Sequence, residues 1–163
     1  MTRSLRLFFK IFGGFFRRKS VGSILAKSEN VTRYVFDKGY FRRSPPTAKF
    51  QVFMPLNGET SVFRIARLSD VEVWSLGNEQ VAKPRGRTIK ARADITIQKV
   101  ESVGVETGHT KLTVVPETST HLLHANIVGW PEEESAIQMI AVELANQAKL
   151  NLSPLHSSVA RME

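Results

Sequence analysis

Cysteine is absent from this 163-residue chain. Its absence excludes disulfide bonds, thiolate metal sites and a cysteine nucleophile, and it fits a reducing compartment such as the cytoplasm. The sequence also lacks G-x-S-x-G, the Walker A sequence, the dinucleotide-binding G-x-G-x-x-G and H-E-x-x-H. Without these signatures of common enzyme classes, the sequence favours a binding protein over an enzyme.

Acidic side chains are missing from the first 28 residues. Residues 1–49 carry twelve Lys or Arg against two acidic residues, whereas residues 50–163 carry eleven basic and thirteen acidic residues. The formal net charge of +8 therefore belongs to the front of the chain. This asymmetry is typical of a basic arm that contacts phosphate, in lipid or in nucleic acid, joined to a nearly neutral domain.

The segment SLRLFFKIFGGFFRR, residues 4–18, predicts an amphipathic helix with a wide apolar face. It is too short to cross a bilayer, which needs about 20 apolar residues. We expect the arm, residues 1–28, to contact an anionic membrane surface or a partner protein, holding a cytoplasmic protein peripherally at the membrane in the first case. The residues expected to make this contact are Arg3, Arg6, Phe8, Lys10, Phe12, Phe16, Arg17 and Arg18.

Other interpretations of the arm remain open at this point. It also fits an organelle-targeting peptide, a helix that packs on its own domain, a nonspecific nucleic-acid binder, or an extension read from an upstream start codon. Further along, the basic loop KPRGR (83–87) and the pair Arg42-Arg43 are candidates for nucleic-acid contact, although neither has the interleaved aromatic residues of a single-strand binder.

Residues 29–152 have the pattern of one α+β domain, followed by a flexible tail at 153–163. The dipeptide Asn57-Gly58 tolerates positive φ at both positions and predicts a tight hairpin. We expect a mostly antiparallel sheet of about five or six strands. Alternating, β-branched and aromatic residues place these strands within 31–41, 49–55, 60–68, 88–100, 111–115 and 120–130.

Two main helices are predicted in this domain, at 69–82 and 132–149. The first begins with the S-x-x-E capping box of Ser69 and Glu72, and Gly77 is expected to weaken it. The second follows a proline and opens with three glutamates, which favour a helix N-terminus. The side chains expected to face the core from the first helix are Val71, Trp74 and Val81.

Strict alternation in TIKARADITIQKV (88–100) predicts a strand with Arg92 and Asp94 on its solvent-facing side. His124 and Asn126 share one face of the strand at 120–130. If these two strands pair, the four side chains form one polar patch. His124 and Asp94 would then be a candidate catalytic acid/base pair, with Arg92 and Asn126 binding the substrate. The alternative is the ordinary outer surface of an antiparallel sheet.

Histidines at 109, 121 and 124 raise the question of a metal site. In a strand, His121 and His124 point to opposite faces, so we expect no metal site, although a turn or a helix there would remove this objection. We expect no cofactor either. Arg64, within SVFRI, is a candidate either for a buried ion pair or for binding an anion.

The blocks RYVF, SVFR, RADI and HANIVGWP occur in this order between residues 33 and 131. They resemble the recurring blocks of a group of small, functionally uncharacterised bacterial proteins, specifically in HANIVGWP and loosely elsewhere. The resemblance implies no activity or ligand, and it excludes the arm and the tail. Our leading expectation is a non-enzymatic binding or adaptor domain. The alternative is a small enzyme that acts on a phosphate-bearing substrate through the polar patch.

Overall fold

The structure, a computed structural model, describes residues 25–108 and 111–154 and has α+β architecture, as predicted. Its three α-helices in this range are α1 (Asp70–Gly77), α2 (Ile97–Glu106) and α3 (Glu134–Gln147). Its strands, in chain order, are β1 (Asn30–Val35), β2 (Phe41–Arg43), β3 (Pro46–Ala48), β4 (Thr60–Arg64), β5 (Ala91–Thr96), β6 (Thr113–Pro116), β7 (His124–Val128) and β8 (Lys149–Leu152).

Six of these strands form one sheet in the order β6-β7-β4-β1-β5-β8. Every neighbouring pair is antiparallel, and β2 and β3 form a separate hairpin. The strand β1 therefore lies near the centre of the sheet, paired with β4 on one side and β5 on the other. This order decides which side chains meet across the sheet.

Helices cover both faces of the sheet, and each face has its own apolar cluster. The larger cluster joins the sheet to α2 and α3. Its fully buried members include Val31, Ala93, Ile140 and Leu144. The smaller cluster joins the opposite face to α1 and includes Tyr34, Phe63, Val73, Trp74 and Ile89. We call this second side of the sheet the α1 face.

The predicted helix at 69–82 is confirmed, together with its capping box. The Ser69 side chain accepts from the Glu72 amide, and the Glu72 side chain accepts from the Ser69 amide. The expected inward position of Val71 is wrong, because Val71 is 78% exposed and Val73 is buried instead. Gly77 is expected to weaken the helix, but its backbone packs closely against Tyr34. A Cβ at this position would lie 2.4 Å from the Tyr34 ring.

The strand expected over 88–100 is wrong in its second half. The strand β5 ends at Thr96, whose hydroxyl accepts from the Lys99 amide and caps α2. Ile97, Val100 and Val103 are then buried at helical spacing. The alternating pattern continued into Ile97 because that position suits both the strand and the first turn of the helix.

The turn at Asn57-Gly58 is confirmed, with φ of 54° and 77°. Leu56 and Glu59 bridge across it with two backbone hydrogen bonds, and β4 follows. The strand expected before it, at 49–55, is wrong: this segment holds a 3-10 turn at Phe50–Val52. Val52 and Phe53 are buried there, so the apolar content of the segment serves the core without joining the sheet.

The predicted closing helix at 132–149 is confirmed as α3, and the chain then adds β8 to the edge of the sheet beside β5. Ser153, just after β8, is buried and its amide donates to the Lys90 carbonyl. Most of the predicted arm and tail lies outside the described residues. Within the described part of the chain, no helix combines the length and hydropathy that crossing a bilayer requires.

Candidate functional site

The predicted pairing of the strand that carries Asp94 with the strand that carries His124 is wrong. In the sheet, β5 and β7 are separated by β1 and β4. At about 4.8 Å for each step between strands, His124 and Asp94 are on the order of 14 Å apart. The polar patch of four side chains does not form, because the central strands β1 and β4 lie between its two halves.

Arg92 does not face solvent on the α1 face. It is 5% exposed, ion-paired with Asp70, 3.5 Å from Asp94, and its guanidinium lies 5.1 Å from the Trp74 ring centroid. Its Nε and Nη1 atoms are buried without a hydrogen-bond partner among the described residues. Arg92 therefore joins α1 to the sheet, where the sequence had suggested a substrate-binding side chain.

Two other predicted site residues, Asp94 and Asn126, also form hydrogen bonds with neighbouring side chains. Asp94 accepts from the Thr32 hydroxyl at 2.6 Å and from the Asn151 amide at 2.8 Å, and burial raises its pKa. The Asn126 side chain donates to Glu59 at 2.6 Å.

Arg64 forms two hydrogen bonds with one carboxylate, that of Glu29, at 2.7 and 3.2 Å. Of the two roles considered for Arg64, the geometry is that of an ion pair. The pair joins β4 to the segment that leads into β1 and leaves the guanidinium facing a carboxylate instead of an anionic ligand.

A different part of the α1 face holds a cavity of about 180 Å³. It opens between the sheet and the chain that follows α1. Because ordinary cofactor and drug pockets occupy about 300–1,000 Å³, this cavity suits a small group. We call it the arginine pocket and define it by Arg33, Phe36, Ser61, Phe63, Arg85 and Arg87.

The end of the first helix places two of the three arginines. After α1 the chain passes through a π-helical turn at Asn78–Ala82 and a 3-10 turn at Lys83–Arg85. Gly86 then adopts a left-handed conformation with φ of 58°, and the Arg87 amide donates back to the Ala82 carbonyl. This reversal lets Arg85 and Arg87 approach the same ring, that of Phe36, at 5.8 and 4.8 Å from its centroid.

The contact with Phe36 holds both guanidinium groups without neutralising them. An aromatic face attracts a cation through its quadrupole and leaves the charge of the cation intact. Among the described residues, no acidic side chain forms an ion pair with Arg85 or Arg87. Their positive charge therefore remains available at the pocket.

Arg33 reaches the pocket from the centre of the sheet. The strands β1 and β4 pair at only two positions, and beyond them the Arg33 guanidinium donates to two backbone carbonyls, Ser61 O at 2.7 Å and Val52 O at 3.3 Å. No described carboxylate pairs with it. Burial, and secondarily the charge of Arg85, lower the pKa of Arg33. Among the described residues, none of the three arginines of the pocket therefore has an ion-pair partner.

Ser61, on the same wall, begins a chain of hydrogen bonds that includes one predicted site residue. The Ser61 hydroxyl lies 2.7 Å from Nε2 of His124, and Nδ1 of His124 lies 2.8 Å from the Glu117 carboxylate. The Glu117 carbonyl lies 3.1 Å from the same nitrogen. Because both are acceptors, Nδ1 carries the proton of the neutral ring, and Nε2 accepts from Ser61.

Glu117 is itself held in place by the turn that follows β6. The Ser119 amide and hydroxyl both donate to its carboxylate, the amide at 3.0 Å. Hydrogen bonds from Ser119 and then from His124 lower the pKa of Glu117 to about 2. Glu117 is therefore ionised near neutral pH.

The Phe63 ring contacts both His121 and His124, with its centroid 5.9 Å and 5.3 Å from the respective imidazole centroids. Burial, followed by the charge of His124, lowers the pKa of His121. Within 25–108 and 111–154, no group of three or more potential ligand side chains is placed to hold a metal ion. His109, the third histidine of the sequence pattern, lies outside the described residues.

Sequence reasoning identified part of this site and missed the rest. It selected His124 and noted the basic loop 83–87, but it missed Arg33, Ser61 and Glu117. The alternation in SVFRI does put Ser61 and Phe63 on one face of their strand, which is the local signal for Ser61.

Comparisons of the chain with protein-family models, curated proteins and solved structures found no match.

Proposed function

We propose that this protein is a binding domain that recognises a small anionic group, a phosphate or a carboxylate, in the arginine pocket. The observation that carries the proposal is the grouping of Arg33, Arg85 and Arg87 around one cavity with no described carboxylate paired to any of them. Guanidinium groups present planar donor pairs that match the oxygens of both anions.

Electrostatics supports an anion in this position. Grouped cations repel one another, and the pKa of Arg33 is lowered first by burial and second by the positive charge of Arg85. A phosphate or carboxylate among them removes the repulsion and accepts hydrogen bonds that the backbone carbonyls do not use. A hydrogen bond to a charged group contributes about 1.5–3 kcal/mol, so two or three suffice for micromolar to millimolar binding.

The experiment that tests the proposal is a titration with inorganic phosphate at constant ionic strength, followed by the midpoint of thermal unfolding. Binding to the folded state raises that midpoint as the ligand concentration passes its dissociation constant. We expect a saturable increase in wild type and at least a tenfold weaker response in Arg87→Gln. Sodium acetate in place of phosphate distinguishes a carboxylate site from a phosphate site.

Arg67→Gln is the matched control, because Arg67 is exposed and does not line the pocket, and the substitution removes the same charge. It should respond to phosphate as wild type does. An equal response of Arg87→Gln and Arg67→Gln would contradict the proposal, since the effect would then come from net charge and not from the pocket.

For the basic arm, residues 1–28, peripheral association with an anionic membrane remains our proposal. Its support is the sequence pattern: five phenylalanines and six Lys or Arg within residues 3–19, with no acidic residue. In flotation with vesicles that contain phosphatidylserine, Lys10→Gln/Arg17→Gln/Arg18→Gln should float less than wild type. The triple variant Arg42→Gln/Arg43→Gln/Arg67→Gln controls for charge, and equal flotation of the two variants would remove this proposal.

A further inference from the structure

We infer that Ser61, with His124 and Glu117, is the nucleophile of a hydrolytic site whose substrate is a carboxylic ester that carries an anionic group. The substrate class depends on the proposed anion pocket, whereas the nucleophile depends on separate observations: the two hydrogen bonds that join these three side chains.

The chain of contacts has the order that nucleophilic catalysis by serine requires. The nucleophile's hydroxyl donates to a histidine nitrogen, and the other ring nitrogen donates to a carboxylate that fixes the ring and stabilises the imidazolium. Here the distances are 2.7 Å from Ser61 Oγ to His124 Nε2 and 2.8 Å from His124 Nδ1 to Glu117. Glu117, ionised and held by Ser119, provides the carboxylate.

Access and charge fit the same interpretation. Ser61 lines the cavity, whereas His124 does not line it and its side chain is only 13% exposed, so a substrate in the pocket meets Ser61 before the imidazole. Arg33 donates to the backbone carbonyl of Ser61, which places a positive charge close to the point of attack, where negative charge develops on the carbonyl oxygen of the substrate.

The reaction is a two-step ester hydrolysis. Ser61 Oγ bonds to the carbonyl carbon and its proton moves to His124 Nε2. The ester C–O bond then breaks, and the alcohol leaves with that proton. A water molecule next attacks the acyl group and gives a proton to His124, and this proton returns to Ser61 as the acid leaves. Ester and water become acid and alcohol, with no metal or redox partner required.

The nucleophile is tested by reacting the full-length protein with an alkyl fluorophosphonate, in which the serine oxygen displaces fluoride at phosphorus. Intact mass and peptide mapping should show one adduct on Ser61, which is absent in Ser61→Ala. The rate should fall at least tenfold in His124→Gln and in Glu117→Gln. Glu117 lies in the turn after β6 with 34% of its side chain exposed, so we expect its substitution to retain the fold. Ser75→Ala, an exposed serine on α1, is the matched control and should be labelled as wild type is.

The assignment of Ser61 as the nucleophile would be wrong if no adduct formed at Ser61. It would also be wrong if the labelling rate were unchanged in both His124→Gln and Glu117→Gln. Phosphate binding without labelling would leave the anion pocket in place and remove the catalytic role alone.

The substrate class has its own measurement. We expect kcat/KM for 4-nitrophenyl hemisuccinate to exceed that for neutral 4-nitrophenyl acetate at least tenfold, and phosphate to slow labelling of wild type. Equal kcat/KM for the two esters, together with no slowing of labelling by phosphate, would contradict the preference for an anionic substrate, even where Ser61 is labelled.

Discussion

The Ser61 hydroxyl lies 2.7 Å from Nε2 of His124, across two neighbouring strands. In the register of β4 and β7, Ser61 is opposite Asn126, and Phe63 is opposite His124. Ser61 and His124 are therefore diagonal neighbours on one face of the sheet. Diagonal positions on paired strands are within reach of long side chains. The contact therefore depends on the register of this one strand pair, and a shift of one residue would remove it.

The tautomer of His124 is the first prediction. In its neutral form, the ring should carry its proton on Nδ1, because two oxygens of Glu117 accept there. Long-range ¹H–¹⁵N correlation spectra distinguish this tautomer from the Nε2-protonated form. Glu117→Gln should change the Nδ1 resonance more than Ser61→Ala does. Finding the proton on Nε2 would reverse the direction of the hydrogen-bond chain and contradict the assigned role of Ser61.

His121 should titrate below its ordinary value of 6.5, because burial disfavours its charged form. Because the pKa of His121 is lower in the folded state than in the unfolded state, its contribution to stability is fully present at pH values above the unfolded-state pKa. This contribution is lost as the pH falls through the folded-state pKa. The Cε1 proton signal gives the midpoint directly. His124→Gln should raise the His121 midpoint, since it removes a neighbouring charge, and a midpoint above 6.5 in wild type would refute the expectation.

Gly77→Ala should lower the free energy of unfolding by about 1–3 kcal/mol, because the new methyl group overlaps the Tyr34 ring and the Ile89 side chain. Helix propensity alone predicts the opposite sign, a gain of about 1 kcal/mol. Urea denaturation distinguishes the two. Ser75→Ala, two residues earlier on an exposed position of α1, should be nearly neutral, and a stabilised Gly77→Ala protein would show that the close packing is absent.

Arg92→Met should destabilise the fold by roughly 3 kcal/mol, because it removes a buried guanidinium and leaves the partly buried Asp94 carboxylate without this cation. Asp70 is 69% exposed, so Asp70→Asn should cost less than about 1 kcal/mol. Chemical denaturation of both variants tests this order. If Arg92→Met retains wild-type stability but loses phosphate binding, Arg92 belongs to the ligand site and the structural role assigned to it is wrong.

Elements with a local cause could be predicted from the sequence. The capping box at Ser69 and the Asn57-Gly58 turn each depend on two or three adjacent residues, and both are present. The change from β5 to α2 could not be read from alternation, because Ile97 fits a period of two and also opens a helical i, i+3 series with Val100.

The site could not be predicted as a unit, since strand order determines it. The sequence places Asp94 and His124 on polar faces, but only the position of β1 and β4 between them shows that they are apart. Arg33 presents the same difficulty. Its role follows from the place where β1 and β4 stop pairing, which no local pattern indicates.

The central claim is that three arginines without a carboxylate partner in the described part of the chain form one anion site. Its most direct test is the ¹⁵Nε–¹H spectrum of the arginine side chains during a phosphate titration. Signals of Arg33, Arg85 and Arg87 should shift together with a single dissociation constant, while those of exposed Arg42, Arg43 and Arg67 stay in place. Equal, unsaturated shifts across all of these side chains would contradict the claim, because phosphate would then be acting on the charge of the whole surface and not on this pocket.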